Sequence, residues 1–121
     1  MGSSDLLTVD IDARGSAVVV SVAGELDLAT VPVLRERLES VPDVAAVPSP
    51  LVVDLSGLSF IGSAGLALLV DLNNQCVERG VLLALVATGT VVPRAIQVTA
   101  LDQVFSVHAS VEEALGTQNA E

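Results

Sequence analysis

Asp54-Leu-Ser-Gly-Leu-Ser-Phe-Ile-Gly-Ser63-Ala-Gly-Leu-Ala-Leu-Leu-Val70 decides how this chain reads. An apolar strand, Leu51 to Leu55, runs through a short Ser-Gly turn into a long apolar helix from Ser63 to about Arg79. That helix is apolar nearly all round through its first half, so it is expected to be buried early and exposed late. Gly80 supplies its C-terminal stop. Ser63 stands where the helix begins. A serine there caps free backbone N–H groups, a contribution of about 1 kcal/mol. It also stands at the positive end of the helix dipole, a place that tolerates an added phosphate. Ser63 is therefore either an ordinary cap or a phosphorylation switch. The apolar residues around it, Phe60, Ile61 and Leu66, face either a partner or the core.

Upstream, Leu7, Val9 and Ile11 alternate with Thr8, Asp10 and Asp12, the period of a half-buried strand. Ala13-Arg14-Gly15 makes a turn, and Ala17 to Ala23 is a second, more buried strand, so the two predict a hairpin. Asp10 and Asp12 read as a solvated strand face rather than a cation site, because no Gly-rich loop stands behind them. Gly24-Glu25-Leu26-Asp27 leads into a helix with Thr30 as N-cap and Pro32 in its first turn. Val31, Leu34, Leu38 and Val41 give that helix one apolar face. Pro42, Pro48 and Pro50 predict a longer, mobile loop.

Downstream, Val81 to Ala87 is an unbroken apolar run, the mark of a central strand covered on both faces. Thr90 and Pro93 open a third helix reaching about Ala100. Val104 to Val107 reads as a short strand, and Ser110-Val-Glu-Glu113 as a capping box opening a terminal helix. The order β-β-α-β-α-β-α-β-α predicts a single α/β domain over residues 6–116. It has a mixed sheet of about five strands, four helices and flexible termini at 1–5 and 117–121.

Composition narrows the function. The chain has 121 residues, half of them apolar, and a net charge of −10. It has no lysine and five arginines, Arg14, Arg35, Arg37, Arg79 and Arg94. Nucleic-acid binding needs basic patches and often aromatic platforms, so that class is rejected. An acidic surface favours a basic or mixed-charge protein partner instead. No apolar run reaches the roughly 18 residues of a membrane span, and no signal-peptide pattern is visible. The expected location is cytoplasmic. Cys76 continues the helical face of Gly65, Leu69 and Leu72, which makes it a buried core thiol.

Enzymatic equipment is missing. A Walker-type phosphate loop needs a lysine, and Gly57, Gly62 and Gly65 do not make a dinucleotide fingerprint. Ser63 follows Gly62 directly, so no nucleophile elbow is formed. A triad would have to recruit His108, the lone histidine, with Asp71 or Asp102, and no spacing implies that geometry. One Cys and one His are too few for zinc. No enzyme activity, metal or cofactor is expected.

Three segments together resemble the STAS domain family. Gly24-Glu25-Leu26-Asp27 with Thr30 resembles its first signature, and Asp54 through Leu66 its second. Arg94 together with Leu101 through Leu115 resembles its usual end. Stand-alone domains of this kind are similar to bacterial anti-sigma factor antagonists. The resemblance implies partner switching: the unphosphorylated protein binds an anti-sigma factor, usually a serine kinase of the GHKL type, and frees a sigma factor. The kinase then phosphorylates the serine opening the second helix, here Ser63, and a PP2C-type phosphatase reverses this. The partner-binding residues implied are Glu25, Asp27, Gly62, Ser63, Ala64 and Gly65. Where the family commonly has Asp before the target serine and a second hydroxyl after it, this chain has Gly62 and Ala64. Asp27 then becomes the main candidate for shaping the site, with the plainer role of satisfying loop N–H groups beside it. Gly62 keeps an alternative open, a phosphorylation-independent STAS scaffold or accessory protein.

Overall fold

A computed structural model describes residues 6–15, 17–39 and 50–116. Its strands are β1 (Leu7–Arg14), β2 (Ala17–Leu26), β3 (Leu51–Ile61), β4 (Leu83–Val86) and β5 (Ser106–His108). They form one sheet in the order β1-β2-β3-β4-β5. The β1–β2 pair is the expected antiparallel hairpin, and every later neighbour is parallel. The helices are α1 (Val31–Glu39), α2 (Ser63–Arg79), α3 (Val91–Val98) and α4 (Val111–Gly116).

Alternation along the strands divides the core between two faces. Val20, Val22, Val53, Leu55 and Leu85 point to the larger cluster, with Leu34 of α1, Leu69 of α2, and Val92 and Ile96 of α3. The intervening Val19, Val52, Ala84 and Val86 point the other way, onto Ala114, Val111 and Leu115 of α4. Covering both faces explains why β4 is buried at all four positions. It is shorter than the predicted Val81–Ala87. The Val81 N–H is taken by the Cys76 carbonyl (2.9 Å) as α2 unwinds over Gly80, which is left-handed at φ 73°.

The largest departure is β3. The predicted turn after Leu55 is not a turn, because the strand continues to Ile61, and β2 runs on beside it to Leu26 rather than stopping at Ala23. The register slips between Ser21/Ala23 and again between Gly24/Glu25, each time leaving an extra residue on β3. Polar residues satisfy the bulges. The Asp54 carboxylate accepts the Ser56 N–H (3.0 Å), and the Ser59 hydroxyl donates to the Gly24 carbonyl (3.3 Å). Ser and Gly here bend a strand rather than end it.

Smaller corrections have equally local causes. Helix α3 ends at Val98, two residues early, where Ala100 turns left-handed (φ 62°). A single 3-10 turn at Leu101–Gln103 follows. It ties the N–H groups of Val104 and Phe105 to the Leu101 carbonyl (2.9 and 3.0 Å) and pulls both off the sheet. The last strand therefore starts at Ser106 rather than Val104. Val41 and the proline-marked loop lie outside the described residues, apart from Pro50, whose carbonyl accepts the Val18 N–H at 3.3 Å.

Candidate functional site

The bulged strands deliver two segments to the same end of the sheet, the loop after β2 and the start of α2. A backbone bond joins them, Gly62 N–H to the Leu26 carbonyl at 2.9 Å. Glu25 and Phe60 are register partners immediately before that junction.

The loop is held by Thr30. This side chain is fully buried, yet polar. Its hydroxyl accepts the Asp27 N–H (2.9 Å) and donates its single proton to the Glu25 carbonyl (2.7 Å). Asp27 answers from the other side, with one carboxylate oxygen accepting the N–H groups of Ala29 (3.0 Å) and Thr30 (3.2 Å). Thr30 precedes α1 as expected, but its hydroxyl faces back into the loop instead of capping the helix. Asp27 has the loop-holding role, half-buried, with Glu25 exposed beside it.

Ser63 is not the N-cap of α2. Gly62 is, with extended backbone (φ −100°, ψ −177°) and no side chain to cap with. Ser63 is the first helical residue, exposed, and its hydroxyl takes part in no side-chain hydrogen bond among the described residues. The first intrahelical bond runs from the Leu66 N–H to the Gly62 carbonyl (3.1 Å). The N–H groups of Ser63, Ala64 and Gly65 precede it and have no acceptor within the helix. A free hydroxyl therefore stands next to three free donors at the positive end of a seventeen-residue helix.

Two glycines shape this corner. A Cβ on Gly65 would lie 2.8 Å from the Leu26 side chain and 3.0 Å from Ile61, so only glycine lets α2 settle on the β2–β3 junction. Gly65 is buried and contributes packing, whereas Gly62 and Ala64 are half-buried. A Cβ on Gly62 would meet the Phe60 ring at 3.2 Å. The ring lies against the helix entrance because residue 62 has no side chain. The apolar trio divides accordingly, with Ile61 and Leu66 in the core and Phe60 exposed.

Elsewhere, Cys76 is buried, and burial raises its thiol above the ordinary value of 9.0, partly offset by Arg79. His108 is paired with Ser106 on the same strand (2.8 Å). Asp10 and Asp12 lie exposed on β1, with Asp12 bridged to Arg14 at 3.0 Å. No helix among the described residues is long and apolar enough to cross a membrane.

The sequence profile of the STAS domain matches residues 8–114. The chain belongs to the STAS domain family. It is similar to the anti-sigma-F factor antagonist RsfB of Mycobacterium tuberculosis, 35% identical over 115 residues, which cover 95% of this chain and 92% of that protein. RsfA of the same organism, also an anti-sigma-F factor antagonist, is 33% identical over 112 residues, 93% of this chain and 88% of that one. The crystal structure of an anti-sigma factor antagonist from Mycobacterium paratuberculosis superposes with a TM-score of 0.84 at 31% identity, covering 97% of each chain. Within this STAS domain the two signature segments are the ones joined by the Gly62–Leu26 bond.

Sequence reasoning named Glu25, Asp27 and Ser63, which the Gly62–Leu26 bond brings to one corner of the fold, but it gave Thr30 too small a part and passed over the exposure of Leu28. Thr30 carried a signal, since a hydroxyl three residues after an Asp is the spacing of a side-chain-held loop. Leu28 carried none, because one apolar residue in a loop has no period to betray its exposure.

Proposed function

We propose that this STAS domain is an anti-sigma factor antagonist whose binding is switched off by phosphorylation of Ser63. The observation that carries the reading is the Ser63 hydroxyl itself, exposed, unbonded and set on the first turn of α2 beside three unpaired N–H groups. The names of the mycobacterial relatives support the choice of partner. In the unphosphorylated state the surface formed by Glu25, Asp27, Gly62, Ser63 and Ala64 binds an anti-sigma factor and so releases a sigma factor. The anti-sigma factor, acting as a serine kinase, transfers the γ-phosphoryl group of ATP to the Ser63 oxygen. ADP leaves, and the hydroxyl proton is lost. A PP2C-type phosphatase hydrolyses the ester and restores the binding form.

The physics separates folding from binding. A phosphate adds about −1.5 to −2 charges at neutral pH. The α2 dipole and its free donors offset this within the domain by about 0.3–2 kcal/mol. A partner packed over Ser63 would have to bury the same charge next to Glu25 and Asp27. A penalty of about 3 kcal/mol is already more than a hundredfold in affinity. The test is capture of an anti-sigma factor by Ser63→Ala and Ser63→Asp: retention by the first and loss by the second is expected, and equal binding refutes the switch.

A second reading draws on Gly62, which stands where an acidic residue is common. In it, the same surface binds constitutively as a scaffold. A complex that survives ATP and Mg²⁺ with no change in mass distinguishes it.

A further inference from the structure

Two apolar side chains flank the Ser63 turn without packing into either core cluster. Leu28 is 81% exposed and Phe60 is 48% exposed. Leu28 is not on a slack loop. The residues on either side of it, Asp27 and Ala29–Thr30, are tied together by the Asp27 carboxylate and the buried Thr30 hydroxyl. It lies two residues past the Leu26 carbonyl that holds Gly62, no more than about 7 Å of chain. A side chain presented by an ordered turn loses little further freedom on binding. The Phe60 ring occupies space beside Gly62, 3.2 Å from where a Cβ at that position would stand.

The charge around them specifies the occupant. Glu25 is the register partner of Phe60, and Asp27 directly precedes Leu28. The whole chain carries −10. Resting on the antagonist reading, we propose that Leu28 and Phe60 are the apolar anchors of the partner interface. They enter an apolar recess of the anti-sigma factor that is rimmed by Arg or Lys side chains. An apolar centre with a charged rim is the usual division of labour in a specific interface. Gly62 then has a purpose beyond permitting a turn, since it makes room for the Phe60 ring at the helix entrance.

The test titrates the protein and its variants into the anti-sigma-F factor of Mycobacterium tuberculosis without ATP. Leu28→Ala and Phe60→Ala are each expected to weaken binding at least tenfold while leaving the melting temperature unchanged, since both side chains are exposed. Val77→Ala is the control. Val77 is 69% exposed on the same helix as Ser63, but fourteen residues and about 21 Å further along it, and its binding should stay within twofold. Leu28→Lys should bind more weakly than Leu28→Ala, because it brings a cation to a basic rim. Wild-type binding with both alanine variants within twofold overturns the anchors. Leu28→Lys binding more tightly than Leu28→Ala overturns the basic rim. Wild-type protein that does not bind at all overturns the antagonist reading, and the anchors with it.

Discussion

Helix α4 is six residues long and opens on a complete cap, whereas α2, at seventeen residues, opens on a glycine. At α4 the Ser110 hydroxyl accepts the Glu113 N–H (3.0 Å), and the Glu113 carboxylate accepts the Ala109 N–H (2.7 Å). At α2 the serine is one position too late to cap, and its hydroxyl faces solvent. The short helix needs its cap, because a helix of that length is not stable alone and buries only Ala114 fully. The long helix buries Gly65, Leu66, Leu68, Leu69, Leu72 and Cys76, and packing holds it without one. Stability and availability are thus assigned to different serines. Ser110 is spent on the fold, and under the proposed switch Ser63 is left for a partner.

The sharpest way to break this contrast is to substitute each serine in turn. Ser63→Asp is expected to cost more than a hundredfold in anti-sigma factor binding, about 3 kcal/mol, while calorimetry shows nearly wild-type unfolding. If the variant unfolds instead, Ser63 is structural and the contrast collapses. Next in size is Thr30→Val. It leaves the Asp27 N–H and the Glu25 carbonyl without their partner, so a loss of about 1–3 kcal/mol in denaturant unfolding is expected, together with weakened binding. Thr30→Ser keeps the hydroxyl and should recover most of both. Ser110→Ala is the mirror of the first variant: about 1 kcal/mol of stability lost, with binding unchanged. Smallest is Arg35→Ala, which removes an exposed 3.8 Å pair with Asp71 between α1 and α2 and should change stability by less than about 0.5 kcal/mol.

Cys76 adds a pH dependence that leaves both helix starts untouched. Burial raises its folded pKa above 9.0, so the unfolded chain loses that proton first. Stability linked to the thiol is complete below the unfolded value and declines as pH rises past about 9 toward the folded value. Cys76→Ala should flatten that decline in a melting series from pH 7 to 10.

Much of this was legible in the sequence because it rests on period and caps. The hairpin follows from the alternation of Leu7, Val9 and Ile11, and β4 from an apolar run that only a sheet covered on both faces can use. The bounds of α2, the Gly80 stop and the Ser110–Glu113 box rest on local chemistry that tertiary structure did not override. What was not legible depends on contacts across the chain. Asp54 and Ser59 turn an apparent Ser-Gly turn into two bulges only because β2 lies alongside. The pairing carries β2 on to Leu26 and β3 to Ile61, so the extended Gly62, and not Ser63, stands as the cap of a helix whose bounds are unchanged. Thr30 is a different case: its spacing from Asp27 was a local signal, but Pro32 in the first turn of the helix made a cap the plainer reading. The exposure of Leu28 and Phe60 is likewise set by what fails to pack over them.

The most direct measurement is the intact mass and phosphosite of the protein after incubation with the anti-sigma-F factor of Mycobacterium tuberculosis, ATP and Mg²⁺, with the complex followed in parallel. One added phosphate on Ser63, accompanied by dissociation, is the predicted result. A phosphate on any other residue, or a complex that persists with Ser63 unmodified, would contradict the switch.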